Sequence, residues 1–233
     1  MDLSFILFEP QVPENAGAAC RALKTMGFGP PRVVNSAVQQ APEARWLAHG
    51  SADLLDNIET FPTLEAALAD RDLVIGTSAK PRGRLRQLHP PEALAELLRE
   101  KAATAGRVAL LFGREDRGLS NAELDRCDLL TSIPLAVSYP SLNLAQAVML
   151  YAYCLSGLSP GAAASKPAKN PAGQLQALKG RVEALMDLLE QPAQSNLRGW
   201  VQARLVRMEA EDIHYLHALC TALERKLRDN NGV

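Results

Sequence analysis

The chain has 233 residues, enough for one large domain with a substantial core or for one domain plus an appendage. Apolar and charged fractions of 47% and 22% are those of an ordinary globular protein, which sets aside disordered and low-complexity classes. A formal net charge of −1 excludes an overall basic field, so any nucleic-acid contact has to come from a local patch.

The chain moves directly into Leu3-Ser4-Phe5-Ile6-Leu7-Phe8, which reads as a first strand and not as a secretory leader. No apolar run approaches the roughly 20 residues that span a bilayer, so a cytoplasmic location is expected. The four cysteines, Cys20, Cys127, Cys154 and Cys220, form no CxxC pair and read as reduced packing residues. Further strand patterns fall at residues 32–35, 73–76, 108–112 and 129–134. They are nearly continuous in apolar residues, as parallel strands covered on both faces must be. Helical patterns lie between and beyond them, at residues 16–26, 43–55, 64–69, 91–103, 121–126 and 142–158. This alternation predicts an α/β fold with an open parallel sheet and helices on both sides. Residues 159–172 are rich in Pro and small side chains and read as a flexible linker. Beyond it, Val182, Leu185, Met186 and Leu189 mark one amphipathic helix. Leu197, Val201, Leu205 and Met208 mark a second, and Ile213, Leu216, Cys220, Leu223 and Leu227 a third. So short a helical tail buries little by itself, and it is expected to pack on a partner tail or on the main domain. The predicted division is therefore 1–158, linker 159–172, and helical extension 173–233.

Four stretches carry chemistry. Asn15 and Gly17 follow the first strand and open the first helix, where α/β folds bind ligands, and Arg21 lies one turn further on. At helical spacing the three are expected on roughly one face; alternatively Arg21 is a solvated helix arginine. The third strand of the pattern leads into Gly76-Thr77-Ser78-Ala79 and then Lys80, Arg82, Arg84 and Arg86 with no intervening acid. That run is either a solvated turn or a phosphate contact. Phe112-Gly113-Arg114-Glu115 ends the next strand in a glycine, with Glu115 either the partner of Arg114 or Arg117 or a group that orients a hydroxyl. Finally, Tyr139-Pro140-Ser141-Leu142-Asn143-Leu144-Ala145 turns abruptly from polar loop to apolar helix, where free N–H groups can hold a polar ligand. Dinucleotide, phosphate-loop and serine-hydrolase motifs are missing. His214 and His217 share a helix face without a third ligand, and no metal site is readable.

In this order and spacing, the stretches around Asn15-Ala16-Gly17-Ala18-Ala19-Cys20-Arg21, Phe112-Gly113-Arg114-Glu115 and Ser141-Leu142-Asn143-Leu144-Ala145 resemble the SPOUT superfamily, in its 2′-O-ribose RNA methylating branch. The phrase Ala19 to Gly27 is most similar to the TrmJ group, which methylates the pyrimidine at position thirty-two of the tRNA anticodon loop. The resemblance covers about residues 3–157. It implies a trefoil knot within about residues 108–158, a homodimer, and S-adenosylmethionine as cofactor without a metal. The cofactor would touch Thr77, Ser78, Ala79, Leu111, Gly113, Arg114, Ile133, Leu135, Ser141, Leu142, Asn143 and Ala145. Arg21 would act on the ribose hydroxyl, with Asn15, Glu115 and Ser141 orienting it, and Lys80, Arg82, Arg84 and Arg86 would hold RNA. Ribosomal RNA, another tRNA position, or a catalytically silent RNA-binding homodimer are the alternatives. Glu14 and Gln146 depart from the family pattern, and the tail matches it loosely.

Overall fold

The computed structural model describes residues 1–79, 87–102, 104–137, 141–160 and 173–231. Its strands are β1 (Asp2–Phe8), β2 (Arg32–Val34), β3 (Glu59–Phe61), β4 (Leu73–Thr77), β5 (Leu88–His89), β6 (Arg107–Phe112) and β7 (Leu129–Thr131). They form one sheet in the order β3-β2-β1-β6-β4-β7-β5, with every pair parallel. All carboxyl ends therefore lie along one edge. The pleat explains the unbroken apolar runs. Leu3, Phe5 and Leu7 of β1 join one core, whereas Ile6 and Phe8 join the core on the opposite face.

Helices α1 (Pro13–Thr25), α2 (Pro42–Leu47), α3 (Ala52–Asp56), α4 (Leu64–Leu68), α5 (Pro91–Lys101), α6 (Asn121–Leu124) and α7 (Leu144–Cys154) follow in the main domain. Ala19 and Leu23 of α1, Leu94 and Leu98 of α5, and Val148 and Tyr151 of α7 pack on the first face. Leu64 and Ala67 of α4 and Leu124 of α6 cover the second. The single helix expected at 43–55 is broken into α2 and α3, with Gly50 at φ +75° between them. The short strands β3 and β5 escaped sequence reading, because β3 (Glu59-Thr60-Phe61) is largely exposed and β5 has only two residues, so neither carries an apolar run.

The tail forms α8 (Gln174–Leu188), α9 (Asn196–Leu205) and α10 (Ala210–Asn231), with Met208 just outside the second of these. Of the two packing partners expected for it, the main domain is contacted within the chain. Leu175, Leu178 and Val182 of α8 enter the first core. The Lys179 ammonium meets Asp128 at 2.5 Å and donates to the Asp72 carbonyl at 3.0 Å. From α5, the Lys101 ammonium donates to the Met208 carbonyl at 2.8 Å. Arg181 ties α8 to Glu224 of α10 at 2.9 Å. Most of the expected linker lies outside the described residues. No described helix is long and apolar enough to cross a membrane.

Candidate active site

Because β6, β4 and β7 are neighbours, their carboxyl ends bring together the loops that begin at Gly113, Ser78 and Ser132. These lie in an open parallel sheet where ligands bind outside the strand ends. Thr77 closes β4 and its hydroxyl donates to the Leu111 carbonyl of β6 at 3.0 Å; Ser78 N–H donates to the Thr131 carbonyl at 2.9 Å. Ala79 and Leu135 are exposed, while Ile133 is half-buried against the core. Gly113 is fixed by packing. A Cβ there would lie 2.2 Å from the Gly118 carbonyl carbon and 2.3 Å from the Leu119 nitrogen, both backbone atoms. The loop therefore folds back on itself, closed by the Arg114–Gly118 bridge.

The three motifs meet at Asn15. Its side-chain amide donates to Glu115 Oε1 at 3.0 Å, and its Oδ1 accepts from Asn143 Nδ2 at 2.8 Å. Asn15 is 6% exposed, so both ends of the amide are spent inside the protein. Glu115 also accepts from the Gln11 and Val12 N–H groups, at 3.0 and 3.2 Å. Neither arginine is the partner of Glu115: its carboxylate accepts from three N–H donors at the start of α1.

Two expectations need correction. Helix geometry at about 100° per residue turns Gly17 about 200° from Asn15, and Arg21 about 240°, so the three do not share a face. Gly17 serves close helix packing: a Cβ would lie 1.8 Å from the Ala44 carbonyl oxygen of α2. Nor are the first N–H groups of the last motif free. Asn143 caps α7, its Oδ1 accepting from Ala145 at 2.8 Å and Gln146 at 3.4 Å, while Gln146 Oε1 accepts from Asn143 N–H at 3.2 Å. The departure at Gln146 thus completes a capping box, and α7 starts at Leu144 instead of Leu142. Ser141 is exposed and Leu142 half-buried immediately before the cap.

Arg21 stands exposed on α1, and among the described residues its side chain has no hydrogen-bond or ion-pair partner. Arg114 is the opposite case. Its guanidinium is held by Glu9 and by Glu123 at 3.1 Å, and lies 4.5 Å from the Phe8 ring centre. All three of its nitrogens are thus engaged within the protein. The Arg114 hydrogen bond, followed by that of Asn35, holds the Glu9 carboxyl below its usual range. Lys80, Arg82, Arg84 and Arg86 lie outside the described residues.

Sequence reading missed Glu9 and Glu123. The pattern Ser120-x-x-Glu123 signals a capping box, which is present, but Glu9 has no local signature. It also missed a buried polar link behind the site, where the Thr131 hydroxyl donates to the His89 carbonyl at 2.7 Å and meets Tyr151 at 3.1 Å. The cysteines are free, and burial pushes the Cys20 thiol up to about 12, as packing residues require. Among the described residues no cluster of His, Cys, Asp and Glu is grouped to hold a metal.

The sequence profile of the SpoU rRNA methylase family matches residues 2–153, and that of the carboxy-terminal domain of the tRNA/rRNA methyltransferase LasT matches 172–227. The chain is 43% identical over 231 residues to a protein of Escherichia coli named as the uncharacterized tRNA/rRNA methyltransferase LasT, covering 97% of this chain and 99% of that one. It is 40% identical over 153 residues to the tRNA (cytidine/uridine-2′-O-)-methyltransferase TrmJ of Yersinia enterocolitica, 65% of this chain and 59% of that one. The crystal structure of TrmJ from Z. mobilis superposes with a TM-score of 0.70 at 29% identity, covering 96% of this chain and all of that one. The chain therefore belongs to the SpoU rRNA methylase family of RNA methyltransferases, and its tail is of the LasT carboxy-terminal type.

Proposed function

We propose that the protein transfers a methyl group from S-adenosylmethionine to a ribose 2′-hydroxyl of RNA, with tRNA the substrate and the cytidine or uridine at position thirty-two of the anticodon loop its target. One observation carries this reading: Asn15, Glu115 and Asn143, each from a different motif, are joined by hydrogen bonds at one end of the helix that carries the unpartnered Arg21. The similarity to a relative named for cytidine/uridine 2′-O-methylation and to a TrmJ structure along nearly the whole chain supports the substrate. Ribosomal RNA is the second reading, favoured by the family description and by the double name of the LasT relative.

The residues at the strand ends fit the cofactor. Ile133, Leu135 and Leu142, exposed or half-buried beside the strand ends, would hold its apolar part, and backbone groups of the loops at Thr77–Ala79 and Gly113 its polar part. When bound, S-adenosylmethionine supplies an electrophilic methyl group, so the protein needs no metal for activation. The remaining work is orientation, which contributes up to about 7–11 kcal/mol in the best intramolecular cases. Arg21 stabilises the developing alkoxide and grips the neighbouring phosphate; a guanidinium does not serve as a base, because it keeps its proton in proteins. Ser141 stands exposed just before α7, where it would meet the phosphate or hydroxyl. Asn15, Glu115 and Asn143 hold the two loops in place.

The site is composite in this reading, with Arg21 of one protomer facing the cofactor of its partner. The turn of roughly 120° between Asn15 and Arg21 around α1 supports this, since Arg21 points away from its own Asn143. Exposed apolar side chains on α7, namely Met149, Leu150 and Tyr153 (66% exposed), and Trp46 on α2 (65% exposed) support burial against a second copy. We also assign the trefoil knot to about residues 108–158. The strand order supports it, because the chain leaving β6 passes over β4 to reach β7, inside β5. The division at 1–158, 159–172 and 173–233, and a cytoplasmic location, belong to the same proposal.

The test is a methyl-transfer assay with labelled S-adenosylmethionine on bulk tRNA and ribosomal RNA from cells lacking the gene, with the labelled nucleotide mapped by mass spectrometry. Label on an anticodon-loop 2′-oxygen is the expected result. Label on ribosomal RNA overturns the substrate and keeps the chemistry. Cofactor binding with no transfer to either favours a silent RNA binder. In the same preparation, replacing Lys80, Arg82, Arg84 and Arg86 with alanine lowers the salt slope of tRNA binding by about 0.7–0.9 for each phosphate that is no longer neutralised. An unchanged slope returns that run to a solvated turn.

A further inference from the structure

We propose that Arg114 is a positioning residue for methyl transfer: with Glu115 it clamps the β1–α1 connection and so sets the position of α1, which carries Arg21. The proposal rests on the reading of Arg21 as the group that acts on the ribose hydroxyl.

The geometry runs through consecutive residues. Arg114 and Glu115 are neighbours on a loop made rigid by the fold-back of Gly113 on Gly118 and Leu119. Arg114 reaches one end of the β1–α1 connection, at Glu9, and Glu115 reaches the other, at Gln11 and Val12. Pro13 then begins α1. Glu9 sits at φ 48°, a left-handed conformation that is unfavourable for a residue with a side chain and persists only where its surroundings enforce it. Three hydrogen bonds enforce it here. Glu9 N–H donates to the Val34 carbonyl at 2.9 Å, Asn35 donates to Glu9 Oε1 at 2.8 Å, and Arg114 binds Glu9 Oε2.

Arg114 suits this task better than contact with a ligand. Its side chain is 10% exposed, and it lies over the Phe8 ring while its remaining nitrogens face Glu123. Glu123 is in turn fixed as the third residue of α6 in the capping box with Ser120, accepting from Ser120 N–H at 2.6 Å. A planar fork can serve two carboxylates at once; a lysine ammonium at the same place cannot hold both in that geometry. The pin at Glu9 therefore passes through α6, β1 and the β6 exit before it reaches the N–H groups that Glu115 needs.

The experiment compares wild type with Arg114→Lys, Arg114→Met, Glu9→Gln and the pair Glu9→Gln/Arg114→Lys. It measures amide hydrogen exchange, melting temperature, and kcat and KM for S-adenosylmethionine and tRNA. Arg114→Lys is expected to speed exchange in the peptide covering residues 9–15 while the peptide covering α7 keeps its rate. It should lower kcat by about 10- to 100-fold, as small misplacements do, with KM for the cofactor within about twofold. Glu9→Gln should act in the same direction, and the pair should be no worse than the more damaging single change. A lowered melting temperature with unchanged exchange at 9–15 and unchanged kcat overturns the proposal. So does a raised KM for the cofactor at unchanged kcat, which places Arg114 against the ligand. Absence of transfer by the wild type tells against the proposed function instead, and the exchange arm then decides the clamp without it.

Discussion

Replacing Arg21 with alanine is expected to lower kcat by about 10²–10³-fold while the affinity for S-adenosylmethionine stays within about twofold, the scale seen when one group stabilising a developing oxyanion is removed. Stability should be nearly unaffected, within about 0.5 kcal/mol, because Arg21 is exposed and makes no contact among the described residues that the fold depends on. Alanine also suits a helix interior at least as well as arginine. Arg21→Lys should recover part of the rate but not all, since a point charge cannot grip a phosphate and an alkoxide together as a planar fork does. Single-turnover transfer to tRNA and calorimetric titration with the cofactor separate the two effects. Loss of cofactor affinity in a folded variant would move Arg21 into the cofactor site. An unchanged rate would make it a solvated helix arginine.

Lys179→Met should cost about 2 kcal/mol, below the roughly 3–5 kcal/mol for removing one partner of a buried ion pair, because this pair is only partly buried. The pair joins α8 to the main domain: the Lys179 and Asp128 side chains are 16% and 10% exposed and 2.5 Å apart. Without the ammonium, Asp128 retains the Val74 N–H at 2.7 Å, but its charge is left uncompensated in the interior. For a chain of this size each kcal/mol moves the melting temperature by about 2–4 °C, so the fall is easily read by calorimetry. Lys24→Met is the control. Its pair with Asp53 has side chains 43% and 58% exposed, where such pairs contribute at most about 1 kcal/mol. Asp128→Asn combined with Lys179→Met should recover part of the loss, because an amide oxygen still accepts from Val74 without a buried charge. A Lys179→Met melting curve identical to wild type would mean that the Lys179–Asp128 pair does not hold α8 in place.

Much of the site could be read from residue order. Strands followed by small polar loops announced where ligands would sit, and the strand ends now lie on one edge as a parallel sheet requires. What could not be read is who touches whom. Asn15 and Asn143 are separated by 128 positions, and Asn15 and Glu115 by 100, so no local pattern reveals that one amide bridges both. The same gap misled the reading of Gly17. A glycine near a strand end suggests a ligand, but only the packed position of α2, with the Ala44 carbonyl against it, shows that the space is taken by backbone.

The sequence by itself determined the alternation of strands and helices, the parallel sheet, the three motif-bearing loops and the amphipathic tail. Each of these follows from side-chain periodicity and turn chemistry within a few residues, which the chain carries locally. Tertiary structure decided that Glu115 holds backbone N–H groups instead of an arginine, that Arg114 is committed to Glu9 and Glu123, and that the tail docks on its own main domain through Lys179 and Lys101. Those outcomes depend on which polar groups are left buried together once the apolar faces have closed. A buried donor or acceptor must find whatever partner the packing brings within about 3 Å, and that choice is made across the fold instead of along the chain.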